Sequence, residues 1–185
     1  MTMLHQVLFI HGGGENGYHA DLKLKDSLAR QLVGRFEVRY PKLPSDQNAP
    51  DFGWLAKIGT ELGELRGDVI LIGHSLGASM LLKYLSEREV ATKVAGVFLL
   101  ATPFWTGDED WVQGLKLDQG FGSKLPENVP FFFYHCMDDK EVSFEDLKRY
   151  RNTVPMATFT ELAKGGHQLE GNMCVVADDV RLIFS

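Results

Sequence analysis

The chain has 185 residues, 19 Lys and Arg against 25 Asp and Glu for a formal charge of −6, and a hydrophobic fraction of 44%. That length suits one domain with a full core, and that composition lies far from the weakly hydrophobic, highly charged regime of disordered chains. Net negative charge repels phosphate backbones and anionic lipid, which sets nucleic acid aside as a partner, and no apolar run approaches the roughly 20 residues of a membrane span, so no membrane insertion is expected.

The first predicted strand, residues 6–10, follows a start with no basic cluster and no cleavage-type small residues, so a soluble, cytoplasmic protein is expected. It runs into His11-Gly12-Gly13-Gly14. Leu24, Leu28, Ala29 and Leu32 then recur at helical spacing, with Asp21 fitting the first turn, before a second strand at 36–40. Asp51 can cap a helix whose apolar face is Trp54, Leu55, Ile58, Leu62 and Leu65; Gly59 and Gly63 weaken it and Gly67 marks its end.

A third strand at 69–72, a helix after Ser75 and a fourth strand at 96–101 follow. Residues 102–128 break the pattern, carrying Phe104, Trp105, Trp111, Leu115, Leu117 and Phe121 among Gly, Asp and Pro. Leaving the carboxyl end of a strand, this segment is placed to form a wall or small lid over residue 75, although each aromatic is equally suited to packing on the core. The remaining elements are strands at 130–135 and 157–162 and helices at 143–152 and 174–184.

Short apolar strands, each continuous enough to be buried on both faces, alternate with helices. The expected fold class is therefore α/β: a single domain, 1–185, with a mostly parallel six-stranded sheet and helices on both faces. The two cysteines, Cys136 and Cys174, have no metal-type spacing and are expected to be reduced and buried.

Gly73-His74-Ser75-Leu76-Gly77 joins the third strand to the next helix. A G-x-S-x-G sequence between strand and helix is a nucleophile elbow, in which a strained serine projects its hydroxyl above the sheet and the glycines make room for the reversal. A serine hydroxyl needs a base, an acid to orient that base, and donors for an oxyanion, all on loops after the carboxyl ends of strands. Lys164-Gly165-Gly166-His167 follows the last strand and offers His167 as base, while Asp138 and Asp139 both follow the fifth strand. Of the other histidines, His135 reads as a core residue, His5 and His19 as surface, and His74 as the variable position of the elbow. The N–H of Leu76 and one from 11–14 are the candidate oxyanion donors; a phosphate loop is disfavoured because no Gly-Lys-Ser/Thr follows and Glu15 adds negative charge.

Taken in this order, the motifs resemble the α/β-hydrolase superfamily over nearly the whole chain. The short length without a large cap looks most like its small serine hydrolases of the retinoblastoma-binding-protein-9 type, although His11-Gly12-Gly13-Gly14 stands where an Asn-rich version is frequent. The resemblance implies strand order 2-1-3-4-5-6. The family's Asp-x-x-Val loop puts the acid at Asp139, with Asp138 in reserve, and its HGGG-type loops make Gly13 a donor. The implied function is a serine hydrolase acting on small or medium acyl carboxylic esters with Ser75, Asp139 and His167 as the catalytic set. Gly13, Leu76, Phe104 and Trp105 are expected at the substrate, and no metal or cofactor is implied. The alternatives are a peptidase or amidase using the same residues, or a protein-binding module on the same fold; the sequence itself points to no protein partner.

Overall fold

The structure, a computed structural model, describes residues 4–109 and 112–185; Trp111, expected near the cleft, lies outside them. Six strands form one parallel sheet: β1 (His5–Ile10), β2 (Phe36–Arg39), β3 (Asp68–His74), β4 (Lys93–Leu100), β5 (Phe131–Cys136) and β6 (Thr158–Leu162), in the order β2-β1-β3-β4-β5-β6. The register runs through Val7 opposite Val38 and Ile70, and Phe98 opposite Ile72 and Phe132.

Alternation along each central strand sorts the apolar side chains into two cores. Leu8, Ile10, Val69, Leu71, Val97 and Leu99 face one side, against α3 (Trp54–Glu64), α4 (Leu76–Glu87) and α5 (Phe144–Thr153). Val7, Phe9, Ile70, Ile72, Phe98 and Leu100 face the other, against α2 (Leu22–Gln31) and α6 (Cys174–Leu182). A one-turn helix, α1 (Gly17–Ala20), leads into α2.

Local signals set the helix starts. Ser143 Oγ accepts the N–H of Glu145 at 3.2 Å to begin α5, and the Asp51 carboxylate accepts the N–H groups of Gly53 and Leu55 at the start of α3. Helix α3 stops at Glu64, and Gly67, with φ of +76°, turns the chain into β3.

Three expectations need correction. The outer strands are not buried on both faces: Glu37, Thr158 and Glu161 are exposed, because β2 and β6 are the sheet edges and only one neighbour covers each. Cys174 is exposed at the first position of α6 rather than buried, whereas Cys136 is fully buried on β5; both are free thiols. His5 is half-buried, packed against the rings of Phe36 and Phe184, because the last residues of the chain cover the start of β1.

The irregular segment divides in two. Val112, Leu115, Leu117 and Phe121 sink into the core beside α4, while Phe104 and Trp105 stay half-exposed at the carboxyl edge of the sheet.

Candidate active site

Strand β3 delivers the chain to Ser75 at the top of the sheet. Its backbone holds φ 52° and ψ −123°, a left-handed conformation rare for a residue with a side chain, and its N–H donates to the Leu100 carbonyl at 2.8 Å. Both flanking glycines are dictated by contact. A Cβ on Gly73 would lie 2.6 Å from Cα of Ala78, and one on Gly77 would fall onto the carbonyl oxygens of Ile10 and His11. The turn thus brings α4 against β3 and the loop after β1, leaving Ser75 half-buried between them.

The loop after β6 carries His167. Gly165 and Gly166 take φ of +138° and +57°, and their N–H groups donate to the Asp138 carboxylate at 3.4 and 2.8 Å. Asp138 therefore anchors the backbone of this loop, while Asp139 meets the imidazole: its Oδ2 accepts from His167 Nδ1 at 2.9 Å. Asp139 Oδ1 also accepts the N–H groups of Glu141 and Val142, and His135 Nε2 lies 3.4 Å from Oδ2 while donating to the Val142 carbonyl.

The Asp139 carboxylate is wholly buried. Burial pushes its pKa up, but hydrogen bonds from His135, His167 and the Val142 and Glu141 N–H groups outweigh that and hold it well below the usual carboxylate range. For His167, burial pulls the pKa down, and the hydrogen bond and charge of Asp139, aided by Glu141 and Asp21, more than restore it, leaving it raised above the ordinary value. Nε2 of His167 lies 3.7 Å from Glu141 Oε2 at the cleft mouth.

Ser75 and His167 line one cleft of about 290 Å³ together with Pro103, Phe104, Trp105, Glu141 and Val142. The indole N–H of Trp105 donates to Ser79 Oγ at 3.0 Å, which fixes the ring as one wall. Leu76 faces a second cavity, about 220 Å³, bounded by His11, Gly14, Tyr18, Phe52 and Trp54. Gly13 packs directly on Leu76, since a Cβ there would lie 2.7 Å from Leu76 Cδ2. All seven expected site residues thus sit around the carboxyl ends of β1, β3, β4, β5 and β6. Among the described residues, no cluster of three or more His, Cys, Asp and Glu side chains could hold a metal ion.

Sequence reasoning missed a further histidine–aspartate contact, under the elbow. Asp21 stands at the N-cap of α2, where its main-chain carbonyl accepts the Lys25 N–H at 3.0 Å, but its side chain does not cap the helix: it is buried, its Oδ2 accepting from Gly12 N–H at 2.7 Å and His74 Nδ1 at 2.8 Å, and its Oδ1 from Gln168 Nε2 at 3.0 Å. Burial pushes Asp21 up, yet the hydrogen bond and charge of His74, with the Gly12 and Gln168 donors, hold it below its ordinary value. His11 is the opposite case. Burial lowers its pKa, and the Leu43 N–H donating to Nε2 at 3.0 Å requires that nitrogen to be unprotonated.

The sequence profile of the Alpha/beta hydrolase family matches residues 7–155. The chain belongs to this family. No curated protein sequence matches it. Among solved structures, it resembles the ydeN gene product of B. subtilis at 22% identity and TM-score 0.75, covering 97% of this chain and 98% of that one. It also resembles Arabidopsis thaliana SOBER1 at 15% identity and TM-score 0.70, covering 99% and 100%. Est1E from Butyrivibrio proteoclasticus, solved with ferulic acid bound, aligns at 13% identity and TM-score 0.70, covering 97% and 88%. At these identities the likeness is one of fold, shared by esterase and thioesterase structures. Among the described residues, no helix of this hydrolase-family chain is long and apolar enough to cross a membrane.

Proposed function

We propose that this single-domain protein is a serine hydrolase that cleaves carboxylic esters with small or medium acyl groups through an acyl-enzyme on Ser75. The observation that carries the reading is the shared cleft: Ser75, in its strained elbow, and His167, oriented by buried Asp139, line the same space.

In this mechanism His167 Nε2 takes the proton of Ser75 Oγ as that oxygen attacks the ester carbonyl carbon. Asp139 holds Nδ1–H, so the free lone pair is on Nε2, and its negative charge stabilises the imidazolium that forms. The carbonyl oxygen becomes an oxyanion beside the N–H groups of Leu76 and Gly13. The Gly12 N–H is already committed to Asp21, so from the loop after β1 the donor is assigned to Gly13. Collapse of the tetrahedral adduct expels the alcohol oxygen, which takes the proton from His167. Water, deprotonated by the same imidazole, then releases the acid and restores Ser75.

A cleft of about 290 Å³ with Phe104 and Trp105 as walls fits a small or medium acyl chain. The structurally similar Est1E was solved with ferulic acid, a small carboxylic acid, bound, which supports this substrate class. The test is labelling with a fluorophosphonate followed by mapping of the modified residue by mass spectrometry. One adduct, on Ser75, is expected, and it should vanish in Ser75→Ala. Equal labelling of that variant would overturn the assignment. Matched ester and amide substrates should show turnover of the ester first, and a faster amide would move the reading to a peptidase or amidase.

A further inference from the structure

His74 occupies the variable position of the elbow, with its side chain directed away from the cleft and only 1% exposed. Both of its ring nitrogens face oxygens that can only accept: Nδ1 meets Asp21 Oδ2 at 2.8 Å, and Nε2 meets the main-chain carbonyl of His167 at 2.9 Å. Two such bonds require a hydrogen on each nitrogen, which is the imidazolium form. The charge is matched by Asp21, whose other acceptor sites are filled by Gly12 N–H and Gln168 Nε2.

The connectivity reaches every loop that the proposed reaction uses, apart from the Asp139 loop. Asp21 holds Gly12, next to the assigned donor Gly13, and Gln168, next to His167. His74 holds the carbonyl of His167 itself, and the two imidazole rings stand 4.7 Å apart between centroids. Asp139 fixes the His167 ring; no main-chain atom of residue 167 depends on it.

We propose that His74 and Asp21 form a buried positioning pair, with His74 as an imidazolium that ties the backbone of His167 to the nucleophile elbow while Asp21 ties in the oxyanion loop. Neither touches substrate. Their effect is on geometry, where a displacement of about 1 Å in a reacting group costs on the order of a hundredfold in rate. This inference rests on the hydrolase reading above. The charged and titratable groups facing His74 are Asp21, the neutral His11 and His167.

Two measurements test it. On the unmodified protein, ¹⁵N–¹H correlation of the imidazoles at pH 7 should show both nitrogens of His74 protonated. An unprotonated nitrogen there would overturn the proposal whatever the enzyme's activity. In His74→Gln and Asp21→Asn, assayed well below each variant's melting temperature, kcat should fall about 10- to 100-fold with KM within about threefold, and the fluorophosphonate labelling rate should fall with kcat. A folded variant with kcat within about twofold of the parent would overturn the proposal. If neither variant folds, the imidazole spectrum alone decides. Because that spectrum does not depend on turnover, failure of the hydrolase reading, seen as no labelling of Ser75, is told apart from failure of the pair.

Discussion

Asp139 and His167 stand 28 positions apart in the chain and 2.9 Å apart in space, joined through Nδ1. In the proposed mechanism the pair sets both the tautomer of the base and its affinity for a proton. In Asp139→Asn the ring can turn to the wrong tautomer, and kcat should fall about 10⁴-fold with the fold retained. A loss under about tenfold would remove Asp139 from the mechanism; substituting Asp138 instead should act through the Gly165–Gly166 backbone and lower thermal stability.

The pH profile follows from the raised pKa of His167. As the proposed general base His167 works only when neutral, so activity should rise with pH through a midpoint above the ordinary histidine value of about 6.5. Glu141 contributes to the upward shift and is 71% exposed, so water and salt screen it. Glu141→Gln should move the acid limb to lower pH, more at low salt than at high. A shift to higher pH would contradict the sign of the interaction.

The elbow glycines make a stability prediction. The Cβ of Gly73→Ala would meet Ala78 Cα at 2.6 Å, a backbone contact that cannot swing aside. Destabilisation of about 1–3 kcal/mol is expected, a drop of roughly 3–10 °C in melting temperature for a chain of this size. Gly63→Ala, on the open side of α3, is the control: nothing lies within 4 Å, and helix propensity should make it neutral or slightly stabilising.

The thiols should differ sharply in reactivity. Burial, with Asp138 and Asp139 nearby, pushes Cys136 up to about 11, so little thiolate exists at pH 8, and its side chain is inaccessible. Cys174 is exposed. Iodoacetamide at pH 8 should alkylate Cys174 alone in the native protein and both residues in denaturant, as read by mass spectrometry.

Much of this molecule could be read from residue order because its signals are local. The run Val69-Ile70-Leu71-Ile72 followed by Gly73-His74-Ser75-Leu76-Gly77 specifies a strand, a reversal and a helix within a few positions, and the glycines are required by contacts that the reversal itself creates. The Asp21–His74 contact has no such signature. It spans 53 positions, and Asp21 sits where an aspartate before a helix usually caps it, so the local pattern offered a sufficient but different role. Cys174 and the edge strands show the other limit. An apolar neighbourhood in sequence does not reveal which face turns to water, or which strand ends up with one neighbour instead of two.

Strand β5 carries Phe131, Phe132 and Phe133, with Phe132 stacked on Phe98 and Phe133 on Tyr150 and Phe159. Such a segment, left unpaired, is a template for amyloid-like association. The strand that covers it, β6, is more polar: Thr158, Thr160 and Glu161 stand beside Phe159 and Leu162, and Glu161 pairs with Arg151. Beyond completing the sheet, β6 therefore acts as a gatekeeper, and conditions that peel it away should expose a self-adhesive edge on β5.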